Sequence, residues 1–217
     1  LWHIAYPVNG SSLKLVVATT RPETMLGDTA VAINPKDPRA AELAGKTVRL
    51  PLVDRDIPII LDEMAELGFG SGAVKITPAH DPNDFEAGKR HNLPSIQVID
   101  GYAKMTSAAG RYLGLDRYDA RKQVVADLEK LGLMEKIEPY KLSVGKCHSC
   151  RTVVEALVSK QWWMKMKPVA EPALHAGANG RIRLVPADCA KTYCEGIANL
   201  RDVGSSRQRG VGLSVRV

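Results

Sequence analysis

Along the first half of the chain, short apolar runs alternate with polar turns at the pace of a strand-rich domain. The run "LKLVVA" (Leu13 to Ala18) enters the polar turn Thr19-Thr20-Arg21-Pro22, where Pro22 pushes Arg21 away from helical backbone. "TAVAINP" is a second short strand, ended by Pro35. "KTVRLPL" and "DIPIIL" are apolar or alternating with embedded prolines, the pattern of edge strands or barrel corners. "GAVKIT" alternates with period two, and "SIQVID" reads as a further strand.

Helices announce themselves by caps and by a longer period. In "DPRAAELAG", Asp37 is the expected cap, Pro38 the first helical residue and Gly45 the stop. Asp81-Pro82 opens a helix that runs to about His91, where "NLP" ends it. "LDRYDARKQVVADLEKLG" places Tyr118, Val124, Val125, Leu128 and Leu131 at helical spacing, with Gly132 as the stop. The order is not a regular βαβα alternation. It predicts an α+β fold, a β-barrel-like domain over residues 1–144 with a few surrounding helices. Residues 145–217 have a different texture and form a small hairpin/helix connective segment: "RTVVEALVSKQWWMKM" as hairpin, "HAGANGRIRLVP" as a turn into a strand, "DCAKTYCEGIANLRD" as helix. From about residue 203 the Gly/Ser/Arg-rich tail has little to pack and is expected to be disordered. There is no internal repeat.

Composition narrows the class. The chain has 217 residues, 45% of them hydrophobic, enough for one good-sized core plus an appendage. No apolar run reaches the ~18 residues that a bilayer span takes. The start has neither an initiator Met nor a signal-peptide pattern, so the chain reads as a piece of something longer, in the reducing cytoplasm. The net charge of +6 is uneven: residues 1–144 carry −1 and residues 145–217 carry +7. A basic second part suits a polyanion such as nucleic acid, and equally a solvated basic surface. The four cysteines are Cys147, Cys150, Cys189 and Cys194. The C-x-x-C pair supplies two of the roughly four ligands that a structural zinc takes, and Cys189 and Cys194 complete the set only where the fold brings them close. Zinc at Cys147/Cys150 is therefore the lesser expectation.

One stretch concentrates chemistry. "KITPAHDPNDFE" places Lys75, Thr77, His80, Asp81 and Asp84 within ten positions of one another. Helix capping alone accounts for both aspartates. It does not account for Lys75 and Thr77, which are two apart on one strand and so share a face. A second polar strand end, "TTRPET", adds Thr19, Thr20, Arg21, Glu23 and Thr24. Hydroxyls and backbone N–H groups can donate to a carbonyl or an oxyanion, carboxylates can accept from an ammonium or a hydroxyl, and Arg21 and Lys75 can meet a phosphate. That inventory fits an amino acid esterified to RNA. It does not fit a phosphate-cradling Walker loop, because "GFGSGAVK" lacks the G-K-[ST] ending and leads into a strand. His80 is a possible base, though a histidine in a turn before a helix more often serves the structure by hydrogen bonding.

The segments "VVATTRPETMLGDTAVAINPKD", "GFGSGAVKITPAHDPNDFEAGKRHNLP" and "VSKQWWMKMKPVAEPAL" closely resemble valyl-tRNA synthetases, in their inserted editing domain or connective polypeptide 1. The resemblance extends over nearly residues 1–200. Leucyl and isoleucyl enzymes share it in a looser form. It implies a hydrolase that removes threonine misattached to tRNA(Val). A hydrophobic pocket rejects an added hydroxyl by only about 10², a figure already known for valyl enzymes rather than derived from this chain. A second pocket supplies the remaining discrimination. By resemblance Asp84 holds the substrate α-ammonium and Asp81 selects its side-chain hydroxyl, roles the two could exchange or share. Thr19, Thr20, Arg21 and Thr24 line the pocket around the ester and terminal adenosine. Lys75 and Thr77 contact ester, ribose or water, and Phe69 walls off the adenine. Asp84, Thr20, Lys75 and Thr77 form the implied catalytic set, with Thr19, Arg21, Thr24, Phe69, His80 and Asp81 binding substrate. The reaction needs neither metal nor cofactor. The implied partners are the threonine-bearing 3′ end of tRNA(Val) and the remainder of the synthetase, with no membrane. No His-x-Gly-His or Lys-Met-Ser-Lys-Ser signature occurs, so aminoacylation is not expected of this chain. Two other readings remain: a tRNA-docking module with little activity alone, and a scaffold bearing a zinc ribbon.

Overall fold

β1 (Trp2–Pro7) and β2 (Lys14–Thr19) form an antiparallel hairpin in register from Trp2↔Thr19 to Pro7↔Lys14. Gly10 in its turn has φ of 72°, a backbone angle that a side chain disfavours. After β2 the chain makes a 3-10 turn over Pro22–Gly27, which is buried throughout. It then enters β3 (Ala30–Ile33), whose residues are all buried. The one-turn helix α1 (Ala40–Leu43) is followed by β4 (Thr47–Leu50), β5 (Arg55–Leu61) and β6 (Ala73–Ile76). α2 (Pro82–Arg90), a 3-10 turn over Ser107–Tyr112, α3 (Arg117–Lys130) and β7 (Met134–Ile137) follow. The computed structural model describes residues 1–67 and 71–206.

The architecture is α+β, as expected, but its sheets do not close into a barrel. One sheet has the order β2-β1-β7 and another β4-β5-β3-β6. They approach where Val8 bridges Val48 and Asn9 N donates to Thr47 O at 2.9 Å. Ile4, Tyr6, Val17, Met25, Val31, Val48, Val124 and Leu128 belong to the core between sheets and α3. β5 was expected at an edge or a corner; it lies inside its sheet, antiparallel to β4 and parallel to β3. Pro58 is tolerated because it sits at a handover. The pairing with β4 ends at Thr47↔Pro58 and the pairing with β3 begins one residue later, at Val31↔Ile59.

Several local expectations are corrected. Asp37 does not cap α1: the helix starts at Ala40, and the Asp37 carboxylate instead accepts from the Arg39 backbone N–H and guanidinium. α3 buries Arg117, Ala120, Val124 and Leu128, while Tyr118 and Leu131 are exposed. "SIQVID" forms no strand. It makes one bridge, Ile99↔Met105, and the Val98 N–H goes to His80 rather than to a ladder.

The chain divides into two compact units, Leu1–Val158 and Ser159–Val217. The cysteine pair falls in the first, where Lys146 bridges Val153. In the second unit β8 (Trp163–Met164) pairs with β9 (Val203–Gly204) instead of forming a local hairpin. α4 (Lys167–Ala178) absorbs the start of the expected turn-and-strand, and α5 (Cys189–Ala198) is the expected helix. The Tyr193 hydroxyl donates to Ala173 O, and a Cβ on Gly177 would come within 2.9 Å of the same ring, which shows how closely these helices pack. Residues 207–217 of the expected tail lie outside the described residues. No helix among the described residues is long and apolar enough to cross a membrane.

Candidate functional site

Two strand ends build the site. β2 delivers Thr19, Thr20 and Arg21. β6 delivers Lys75 and Thr77, then turns through Pro78 to His80 and into α2. Asp81 caps α2 as its sequence demands, its Oδ1 accepting from Asn83 N at 2.8 Å and Asp84 N at 3.2 Å. Pro78 packs on Gly88 one helix later; a Cβ there would lie 3.0 Å from the Pro78 ring. The resulting cleft, about 520 Å³, is lined by Thr19, Thr20, Arg21, Thr24, Lys75, Thr77, His80, Asp81 and Asp84. These are nine of the ten residues singled out from the sequence. The tenth, Phe69, lies outside the described residues.

Beneath the cleft is a buried polar network that the motifs did not reveal. Its hub is Asp28, which is fully buried. Asp28 Oδ1 accepts from the Thr77 hydroxyl at 2.6 Å and from Lys75 Nζ at 3.2 Å, and Oδ2 accepts from Tyr6 Oη at 2.7 Å. Lys75 also donates to the Thr24 hydroxyl at 3.1 Å and to the Thr77 hydroxyl. All three ammonium protons are thus engaged, and Lys75 acts here as a fixed positive charge. Burial raises the Asp28 carboxyl despite Lys75 and its hydrogen bonds, and burial with Asp28 alongside raises Tyr6 well above the ordinary phenol.

The two aspartates separate by depth. Asp81 is exposed, whereas Asp84 is buried. Asp84 Oδ2 accepts from Thr77 N at 2.8 Å, tying the β6 end to α2; Oδ1 accepts no hydrogen bond from the described residues. Burial pushes the Asp84 carboxyl up to about 6, with Lys75 and the Thr77 N–H opposing and Asp81 and Asp28 adding to the rise. An incoming cation relieves that cost. Thr20 makes no side-chain hydrogen bond among the described residues, so its hydroxyl is available in the cleft. Thr24 spends its hydrogen on Arg21 O, and Thr19 Oγ1 accepts from Arg21 N.

His80 is placed as a structural histidine. Its Nε2 accepts from Val98 N at 2.9 Å, so the ring is neutral with its proton on Nδ1. Burial, helped by Arg21, pushes its pKa down to about 4 against a smaller opposing contribution from the Ala156 backbone. Among the described residues Nδ1 itself has no partner within hydrogen-bonding geometry. Arg21 donates to His80 O at 3.2 Å and to Glu155. The cleft also takes in His3, Glu138 and Tyr140, which come from β1 and the chain after β7. His3 and Glu138 pair at 3.1 Å across 135 positions of sequence, and no local pattern signals that. Among the described residues no group of three or more His, Cys, Asp or Glu is placed to hold a metal.

Comparison with known proteins bears on the family and the fold. Residues 43–113 match the family model described as leucyl-tRNA synthetase, editing domain. A valine–tRNA ligase of Solibacter usitatus (strain Ellin6076) is 62% identical over 96% of this chain. Over nearly its whole length the chain is similar to a segment of valine–tRNA ligases, and within it residues 43–113 match the editing-domain model. A second such ligase, from Thermotoga maritima, is 50% identical over 96% of the chain. The chain spans about a quarter of the length of these relatives, 24% in both cases. In fold it is similar to a leucyl-tRNA synthetase from Agrobacterium radiobacter K84, solved in a ternary complex with tRNA and LeuAMS. That match has a TM-score of 0.52 and 20% identity, and covers 71% of this chain and 24% of the other.

Proposed function

We propose that this cleft hydrolyses the ester of threonine mischarged on tRNA(Val), the post-transfer editing step of a valyl-tRNA synthetase. The observation that carries the reading is Asp84, a buried carboxylate with one oxygen open to the cleft, next to a fixed lysine charge and a free threonine hydroxyl. Asp84 Oδ1 receives the α-ammonium. Asp81, at the rim, accepts from the threonine side-chain hydroxyl, which valine lacks. An ordered water attacks the ester carbonyl, and the acyl–oxygen bond breaks. The ribose oxygen leaves with a proton, relayed by the neighbouring ribose hydroxyl. Thr20 and the Lys75 charge stabilise the oxyanion that develops. Thr77 and Asp28 keep Lys75 in place, and His80 fixes the turn rather than moving protons.

Deacylation of threonyl- and valyl-tRNA(Val) by the intact chain tests this, with Asp84→Ala as control. The reading expects the threonyl ester alone to be cleaved and the substitution to abolish cleavage. A chain spanning a quarter of its relatives favours one other reading, a tRNA-docking module. Retained tRNA binding without hydrolysis of either ester establishes that reading instead.

A further inference from the structure

We infer that Glu155 is a positioning residue for Arg21, and that the segment following the cysteine pair thereby forms one wall of the cleft. Arg21 extends from the turn after β2, and its guanidinium is held on several sides. Nη2 donates to Glu155 Oε2, Nη1 to His80 O at 3.2 Å, and Nε lies 3.7 Å from Glu23 Oε1. The other Glu155 oxygen accepts from Arg117 Nη1, and Arg117 Nη2 reaches Val153 O at 3.3 Å. Glu23 is fully buried and gripped by Arg121 through two bonds of 2.7 and 2.8 Å. The result is an alternating series: Arg117, Glu155, Arg21, Glu23, Arg121. It begins and ends one turn apart on α3, so both terminal charges are set by a single rigid element.

Glu155 is the member that decides where Arg21 points. Glu23 is already committed to Arg121 and lies beyond hydrogen-bonding reach of Arg21. Among the described residues only Glu155 offers Arg21 a carboxylate in direct contact, and its side chain is 13% exposed, so solvent screens the pair less than at an open surface. Without that carboxylate, Arg117 and Arg21 face each other as like charges. Arg21 shares the cleft lining with the carboxylates of Asp81 and Asp84. An arginine folded onto them would occupy the receptor that the proposed function assigns to the substrate ammonium. The residue lies 134 positions from Arg21, in a stretch whose sequence suggested a hairpin and no part in the cleft.

The test uses the whole chain with Glu155→Gln and Glu155→Asp, each first shown to be folded by circular dichroism. The direct readout is the Arg21 Nη–H resonances, the groups that Glu155 and the His80 carbonyl hold, assigned by their loss in Arg21→Lys. The inference expects a discrete, slowly exchanging signal in the wild type. Glu155→Gln should collapse it to the solvent-averaged position, and Glu155→Asp should restore it in part. An Arg21 signal left unchanged by folded Glu155→Gln overturns the inference. The kinetic consequence rests on the hydrolase reading: with Glu155→Gln, KM for the threonyl ester should rise on the order of 10-fold with kcat nearly constant. A fall confined to kcat overturns the inference too. A wild-type chain without hydrolysis removes the hydrolase reading alone, and the resonance still decides the role of Glu155.

Discussion

Replacing Asp84 with asparagine should make the protein more stable and inactive at once. The Asp84 carboxyl is pushed from an ordinary 3.8 up to about 6, first by burial. Between these two values the native chain binds a proton that the unfolded chain releases, so stability falls as pH rises through that window. Above about pH 6 the penalty is complete, near 2 pKa units or ~3 kcal/mol. Asparagine has the same shape and still accepts from Thr77 N, but it has no charge to bury. For a chain of this length, ~3 kcal/mol corresponds to a rise in Tm of roughly 5–10 °C. Thermal unfolding of both proteins from pH 4 to 8 should show the curves converging near pH 4 and the asparagine variant higher by that margin at pH 7.5. A variant no more stable than wild type at pH 7.5 would refute the argument that Asp84 is held at an energetic cost until a cation arrives.

Three further outcomes follow from the same geometry. Lys75→Met leaves the Asp28 carboxylate buried with no cation hydrogen-bonded to it among the described residues, Arg55 reaching only the Asp28 backbone carbonyl, and should cost ~3–5 kcal/mol in denaturant titrations, with more than half recovered when Asp28→Asn is added. The His80 imidazole should give the Nδ1–H neutral tautomer by nitrogen NMR and show no titration between pH 8 and 5, since its pKa lies at about 4. Gly27→Ala should destabilise by ~1–3 kcal/mol in the same titrations, because its Cβ would fall 2.8 Å from the Ile96 carbonyl oxygen, a backbone atom with little room to yield.

Local chemistry made much of this molecule legible from sequence. The Asp81 cap, the shared face of Lys75 and Thr77 and the polar end of β2 are short-range features, and each is where its neighbours require. What sequence concealed was long-range. Asp28 follows a buried 3-10 turn and looks like one more turn residue; only the fold joins it to Tyr6 on β1 and Lys75 on β6. Val98 and Ile99 have the pattern of a strand, yet the His80 ring takes their N–H groups. In α3 the spacing of Tyr118 and Leu131 fitted an apolar face, but the helix turns Arg117 inward because Glu155 meets it there. The pairing of Glu155 with Arg21 across 134 positions has no local sign at all.

The most direct measurement of the central claim is kcat/KM for hydrolysis of threonyl-tRNA(Val) by this chain from pH 5 to 7, which reports the groups of the free protein. If the charged form of Asp84 receives the substrate ammonium, kcat/KM should fall about tenfold on acidification, with a midpoint near the Asp84 value of about 6. A kcat/KM independent of pH across that range, or a threonyl ester left intact, would contradict the account.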